Sequence, residues 1–154
     1  MDWTQIAADF VWDGSLRDIY VLGTTEADWD NILARLRRFE PPPVFTVDNV
    51  VQAMPMQMAA VFSLRDKQQP MLTVMAGQAV LNCHFFGADN IEFDCDPRDI
   101  TGPPQAEMLA GFMRLLGQAT RKSVILCHEN AQHLVIARCL PPEGEVVWVG
   151  TKGQ

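Results

Sequence analysis

The chain has 154 residues, of which 48% are hydrophobic and 20% are charged, and its formal net charge is −7 at pH 7. This length and composition predict one globular domain over residues 1–154 with a substantial core, and they exclude a disordered chain. The negative charge argues against nucleic acid or an anionic membrane as partner, because binding either would require a basic surface.

The N-terminal residues MDWTQ lack the basic and apolar regions of a signal peptide. The longest uncharged stretch, Gln68–Ala88, contains Pro70, Gly77 and three glutamines, so we do not expect it to form a membrane helix. We therefore expect a cytoplasmic protein.

In the first third of the chain, the sequence predicts a turn, a strand and a helix. Asp13 and Gly14 indicate the turn, and the apolar run Leu16–Leu22 is typical of a strand. A helix is predicted over about Thr25–Phe39, because Thr25 and Asp28 approximate a capping box. Its apolar stripe consists of Trp29, Ile32, Leu33, Leu36 and Phe39.

The middle of the chain reads as a series of short strands. The predicted strands are Val44–Val47, Ala59–Leu64, Met71–Met75, Ala79–Phe86 and Ile91–Cys95. Residues Asp66–Pro70 and Gly87–Asn90 are predicted hairpin turns. The Met-rich run Val50–Met58 is compatible with either a short helix broken near Pro55 or an irregular loop.

A second helix and three strands are predicted in the last third. The helix runs from about Pro103 to Thr120, with Thr101 as its cap and proline in its first turn. Its predicted buried stripe is Met108, Leu109, Phe112, Met113, Leu115 and Leu116. The predicted strands are Val124–Cys127, His133–Cys139 and Glu145–Val149. The predicted fold is α+β, a mainly antiparallel sheet with two principal amphipathic helices packed on it.

The basic residues form two clusters, Arg35 with Arg37 and Arg38, and Arg121 with Lys122. Both lie near the C-terminus of a predicted helix, where the helix dipole favours a cation. We interpret them as structural.

The segment Ile91–Asp99, IEFDCDPRD, carries the clearest functional signal. Apolar and acidic residues alternate with the period of a half-buried strand, which places three carboxylates on one face. Between Asp89 and Asp99 the acidic residues are Asp89, Glu92, Asp94, Asp96 and Asp99, and Arg98 is the one base. Such a face is either a solvated surface or a docking surface for a basic partner. A metal site is a weaker alternative, since neighbouring strand positions do not encircle an ion.

Cysteines and histidines provide an alternative site. Cys83, Cys95, Cys127 and Cys139 lie in apolar, strand-like surroundings, and we expect reduced thiols in the core. A metal or nucleophile site near Cys127, His128 and His133, with His84, is conceivable. However, adjacent strand residues point to opposite faces, and none of the motifs CxxC, HExxH, GxSxG or GxGxxG occurs.

The four tryptophans are candidate contact residues. Trp29 lies on the apolar stripe of its helix, so we expect it to be structural. Trp3, Trp12 and Trp148 either pack the sheet against the helices or form a binding hot spot; packing is the favoured interpretation.

The chain resembles small single-domain immunity proteins of bacterial polymorphic toxin systems. The resemblance is carried by WDGSLRDIYVL at Trp12–Leu22 with the helix after it, HFFGADNIEFDCDPRDI at His84–Ile100, and the run FMRLLG…KSVILCHEN at Phe112–Asn130. It implies a cytoplasmic antitoxin that blocks a toxin by binding it.

The sequence therefore predicts a non-enzymatic protein-binding module, with no cofactor and no metal, that occludes a basic partner. The predicted partner-binding residues are Asp89, Glu92, Asp94, Asp96 and Asp99. One alternative is a small metal-dependent or cysteine-based enzyme around Cys127, His128 and His133. Another is a homo-oligomeric module with Val50–Val61 as its interface.

Overall fold

An antiparallel sheet of nine strands is the framework of the described chain. The computed structural model describes residues 1–141 and 144–152. The strands are β1 Arg17–Leu22, β2 Val44–Val47, β3 Val50–Gln52, β4 Pro70–Ala76, β5 Ala79–Cys83, β6 Asn90–Cys95, β7 Val124–His128, β8 Ala131–Leu140 and β9 Glu145–Trp148. Their order across the sheet is β3-β2-β4-β5-β6-β1-β7-β8-β9. This confirms the predicted α+β class.

Strand β1 lies inside the sheet, between β6 and β7, and joins the two halves of the sheet. Its residues from Arg17 to Val21 are all buried. A strand buried along its whole length is normally apolar throughout, as Ile19 and Val21 are. The buried aspartate at position 18 is therefore unusual, and it becomes important for the site described below.

Two long helices cover one face of the sheet. They are α2, Glu26–Leu36, and α4, Pro103–Thr120, and they contact each other. Helix α2 begins with a capping box, because the Thr25 hydroxyl accepts from the amide of Asp28 and the Asp28 carboxylate accepts from the amide of Thr25. Helix α4 has the predicted bounds, but its N-cap is Gly102 with no side-chain hydrogen bond, so the predicted cap at Thr101 is wrong.

The described residues also form two short α-helices, α1 at Trp3–Ile6 and α3 at Met58–Phe62, and two 3₁₀ helices, Ala7–Phe10 and Pro97–Asp99. The prediction of a strand at Ala59–Leu64 is wrong. Met58 and Val61, three residues apart, are buried, and the amide of Met58 donates to Asp30 Oδ1 over 2.7 Å. That bond satisfies a free amide at the start of the helix. For Val50–Met58 the sequence allowed a short helix or an irregular loop. The segment contains strand β3 and then runs irregularly to α3.

The core lies between the helices and the sheet. Trp29 is 1% exposed and contacts the rings of Phe62 and Phe85, at centroid distances of 5.9 and 5.5 Å. Phe112 of α4 packs edge-on against Phe93 of β6 at 5.0 Å. Of the stripe predicted for α4, Met108 is exposed and Leu115 is only partly buried. None of the described helices combines the length and apolarity needed to cross a bilayer.

Candidate functional site

The face of the sheet opposite α2 and α4 carries a row of polar side chains. The strand register aligns Thr73, Asn82, Asp94 and Asp18 across β4, β5, β6 and β1. Thr73 Oγ1 donates to Asn82 Oδ1 over 3.0 Å, and Asn82 Nδ2 donates to Asp94 Oδ1 over 3.4 Å. The row therefore ends in two aspartates that lie directly opposite each other on neighbouring strands.

Like charges in directly opposite positions on two strands destabilise a sheet. Here the neutral donors around Asp18 offset part of that cost. Its Oδ2 accepts from the hydroxyl of Tyr20 over 3.0 Å and from the amide of Asn130 over 2.8 Å. Tyr20 in turn lies opposite Glu92 in the register. A third carboxylate therefore lies two residues from Asp94 on β6, on the same face of the sheet.

These carboxylates share a cleft with a volume of about 450 Å³. Its lining residues are Leu16, Asp18, His84, Phe86, Glu92, Asp94, Glu129 and Asn130. Four of them are acidic, and none is lysine or arginine. The carboxylate of Glu129 accepts from the amide of Leu16 over 2.9 Å, which holds it beside the others.

An imidazole and an exposed aromatic ring lie at the mouth of the cleft. His84 Nε2 lies 3.3 Å from Asp94 Oδ2, and the imidazole stacks on Phe86 with 5.6 Å between ring centroids. Phe86 is 55% exposed. An apolar ring beside carboxylates is a suitable surface for the stem of an arginine or lysine side chain, which is itself apolar up to its charged head.

The environment disfavours the charged forms of three carboxyl groups in the cleft. Burial raises the pKa of Asp18, and the nearby Asp94 and Glu129 raise it further. Burial also raises the pKa of Glu92, with a contribution from Asp18. Burial is again the main reason that the pKa of Asp94 is raised, although Asn82 and His84 oppose the shift.

The cleft can bind a cationic group through several carboxylate oxygens. Within residues 1–141 and 144–152, no group of three or more histidine, cysteine or acidic side chains is arranged to hold a metal ion. An ammonium or guanidinium group makes lower demands on ligand geometry than a metal ion does, and it forms charge-assisted hydrogen bonds with carboxylates.

The five acids predicted from the sequence do not form one cluster. Glu92 and Asp94 lie in the cleft, as the alternation predicts. Asp96 follows the end of β6, caps the short 3₁₀ helix Pro97–Asp99, and pairs with Arg98 at 2.5 Å, so the predicted row of three carboxylates holds for two only. Asp99 accepts from the amide of Val80 over 3.2 Å, and Asp89 is exposed in the turn before β6.

Sequence reasoning missed Asp18, Tyr20 and Glu129. The available signal was an aspartate and a tyrosine at alternate positions of an otherwise apolar strand, because such residues share one face. Nothing in the sequence indicates that β1 lies beside β6, which is about 70 residues away in the chain.

The residues of the alternative cysteine and histidine site form no metal-binding group within the described residues. Cys127 Sγ donates to the backbone oxygen of Asp18 over 3.6 Å, and burial raises its thiol pKa to about 12. His128 Nε2 instead lies 3.3 Å from the carboxylate of Asp9, at the other end of the described chain. Burial also raises the thiol pKa of Cys83, Cys95 and Cys139.

The tryptophans are mainly structural. Trp3 stacks on Phe10 at 5.7 Å, and Phe10 packs edge-on against Trp148 at 6.4 Å. Trp12 is 43% exposed, and the guanidinium of Arg98 lies 4.2 Å from its ring centroid.

The Met-rich segment proposed as an oligomer interface divides into two parts. Val50, Val51 and Met56 are exposed, whereas Met58 and Val61 belong to the core.

Comparison of the chain with protein-family models, curated proteins and solved structures found no match.

Proposed function

We propose that this protein is a non-enzymatic, cytoplasmic binding protein that occludes a basic protein partner at the acidic cleft. The observation that carries the proposal is the convergence of Asp18, Glu92, Asp94 and Glu129 in one cleft whose lining includes no lysine or arginine. A partner that inserts a guanidinium or ammonium group would supply the missing positive charge.

Binding of a cation is favourable because the ionised carboxylates of the unbound cleft are destabilised. Burial and mutual repulsion disfavour ionised Asp18, Glu92 and Asp94, as their raised pKa values indicate. A cation placed among them stabilises the ionised forms and is attracted most strongly at low salt. The dense negative charge also accelerates association with a basic surface.

The resemblance to immunity proteins adds a more specific proposal, that the partner is a toxin. For a nuclease toxin, the acidic face would occupy the groove that binds phosphates. Phe86, exposed beside the cleft, would then contribute an apolar contact at the centre of the interface.

A defined basic peptide provides the direct test of the cleft. We expect nona-arginine to bind the protein in calorimetric titrations at about 20–50 mM salt, where electrostatic attraction is weakly screened. The affinity should fall steeply as salt is added. The double variant Glu92→Gln/Asp94→Asn should bind at least about tenfold more weakly, because it removes two partly buried carboxylate partners of the cation. The matched control is Glu145→Gln/Asp66→Asn, which removes the same two charges at exposed positions.

An equal loss of affinity in both double variants would contradict the proposal, because it would show that only the net charge matters. Proton release gives a second readout. A bound cation lowers the raised pKa values, so binding in mildly acidic buffer should release protons, and calorimetry in buffers of different ionisation enthalpy measures this.

The immunity proposal has a separate test in the gene that precedes this one. We expect that gene to encode a secreted multidomain toxin, and coexpression of the wild-type protein should protect cells from its toxic domain. The Glu92→Gln/Asp94→Asn variant should protect less. Failure of the wild-type protein to protect would contradict the immunity assignment, while the peptide titration would still report on the cleft.

A further inference from the structure

A second charged site lies in the helical layer, away from the acidic cleft. A groove of about 710 Å³ runs between α2 and the C-terminal end of α4. Three of its lining residues are arginines, Arg35, Arg38 and Arg121, and the carboxamides of Asn31 and Gln118 also line it. Members of the two basic clusters that are separate in the sequence therefore line one groove.

In the part of the chain that the structure describes, the three guanidinium groups have no carboxylate partner. Across the described ranges, 1–141 and 144–152, no carboxylate oxygen lies within 4 Å of any of them. One acid, Asp28, lines the groove, but its carboxylate accepts from the Thr25 hydroxyl over 3.0 Å and lies 3.8 Å from the ammonium of Lys122. The groove is thus locally positive on a chain whose net charge is −7.

The helix dipole explains each cation separately but not their convergence. Arg35 lies in the last turn of α2, and Arg121 caps the C-terminus of α4. Each position favours a positive charge, whereas three positive charges in one groove repel one another. Arg121 also has φ 56°, where glycine would be less strained. An anion in the groove would relieve the repulsion.

We propose that this groove binds a small ligand that carries two or more phosphate groups. Phosphate is the favoured anion because guanidinium groups donate two parallel hydrogen bonds to its oxygens. The volume falls within the range of small-ligand sites, about 300–1,000 Å³. A long polyanion such as nucleic acid is disfavoured, since the chain as a whole carries a net charge of −7. Asn31 and Gln118 supply neutral donors beside the arginines.

The test is a calorimetric titration of the purified protein with inorganic triphosphate at low salt. We expect one site per chain, and at least tenfold weaker binding for Arg35→Gln and for Arg121→Gly. Glycine is chosen at position 121 because it suits the left-handed backbone, so that variant should unfold at the same temperature as wild type or higher. The matched control is Arg98→Gln, which removes the same charge beside Asp96; it should change the affinity less than threefold.

Two outcomes would overturn the proposal. One is triphosphate binding no tighter than sulfate binding, and the other is equal weakening by Arg35→Gln and Arg98→Gln. Replacing inorganic triphosphate with ATP distinguishes a nucleotide from a bare oligophosphate: tighter binding of ATP supports the nucleotide, and equal binding supports the oligophosphate. Triphosphate binding should be retained by Glu92→Gln/Asp94→Asn, so this site and the acidic cleft can fail independently.

Discussion

Two ionic clusters in this protein, one buried and one lining an open cleft, differ in how completely their charges are matched within the chain. The first surrounds Arg17, whose side chain is fully buried. Its guanidinium donates to the backbone oxygens of Asp9, Val11, Ser15 and Leu16 and to the carboxylate of Asp13, at distances from 2.6 to 3.3 Å. The positive charge of Arg17 thus has its partners within the chain, and its hydrogen bonds connect the N-terminal segment to β1.

The second cluster is the acidic cleft, and it is incomplete. Asp18 and Asp94 accept hydrogen bonds from neutral donors, and His84 lies beside Asp94, but no lysine or arginine lines the cleft. The difference indicates separate roles. A buried charge that serves folding has its partners within the chain, whereas under the proposed function the countercharge of the cleft comes from the basic partner.

The largest expected effect comes from breaking the complete cluster. Arg17→Met should lower the free energy of unfolding by about 3–5 kcal/mol, because five residues that accept hydrogen bonds from the buried guanidinium lose their donor at once. Urea denaturation monitored by tryptophan fluorescence measures this. Arg98→Met removes an exposed arginine from its pair with Asp96, and we expect little change there. Similar losses in the two variants would contradict a special structural role for the buried Arg17 cluster.

Removing a charge from the acidic cleft should raise the free energy of unfolding rather than lower it. We expect Asp94→Asn to raise the free energy of unfolding by about 0.5–1 kcal/mol, because it removes the like-charge contact with Asp18. The same variant weakens peptide binding, so stability and binding should change in opposite senses. Asp66→Asn, at an exposed position, should leave both unchanged. Destabilisation by Asp94→Asn would mean that its negative charge is already matched within the chain.

The smallest expected effect is a pH dependence of the difference in unfolding free energy between Asp94→Asn and the wild-type protein. The pKa of Asp94 is raised in the folded protein, so the folded state holds this proton at a pH where the unfolded state has lost it. Stability from this group is therefore present below the unfolded value, near pH 4, and is lost as the pH rises through the folded value. The advantage of Asp94→Asn over wild type should grow from pH 4 to pH 8 in thermal denaturation. A constant advantage would contradict the raised pKa.

Much of the secondary structure could be predicted, because its causes are local. The capping box at Thr25, the apolar spacing of α2 and the proline-led start of α4 are read directly from neighbouring residues. The strand at Ala59–Leu64 was predicted wrongly because its apolar run is compatible with either element. The burial of Met58 and Val61 and the hydrogen bond from Met58 to Asp30 select a helix there.

The acidic cleft was only half predictable. Glu92 and Asp94 follow from alternation along a single strand, a property of the backbone that any reader of the sequence can apply. Asp18 and Glu129 belong to other parts of the chain and reach the cleft through the pairing of β1 with β6 and β7. The pairing of Asp96 with Arg98 is local, but the end of the strand at Cys95 was needed to interpret it.

The sequence by itself determined the α+β class, the two long helices and the acidic face of β6, because capping, periodicity and alternation act over a few residues. Only the tertiary structure decided which charges meet: four carboxylates on the open face of the sheet and three arginines between the helices. The physical reason is that strand order and helix packing depend on burying the whole apolar surface at once, so contacts between distant segments are not encoded in any one of them.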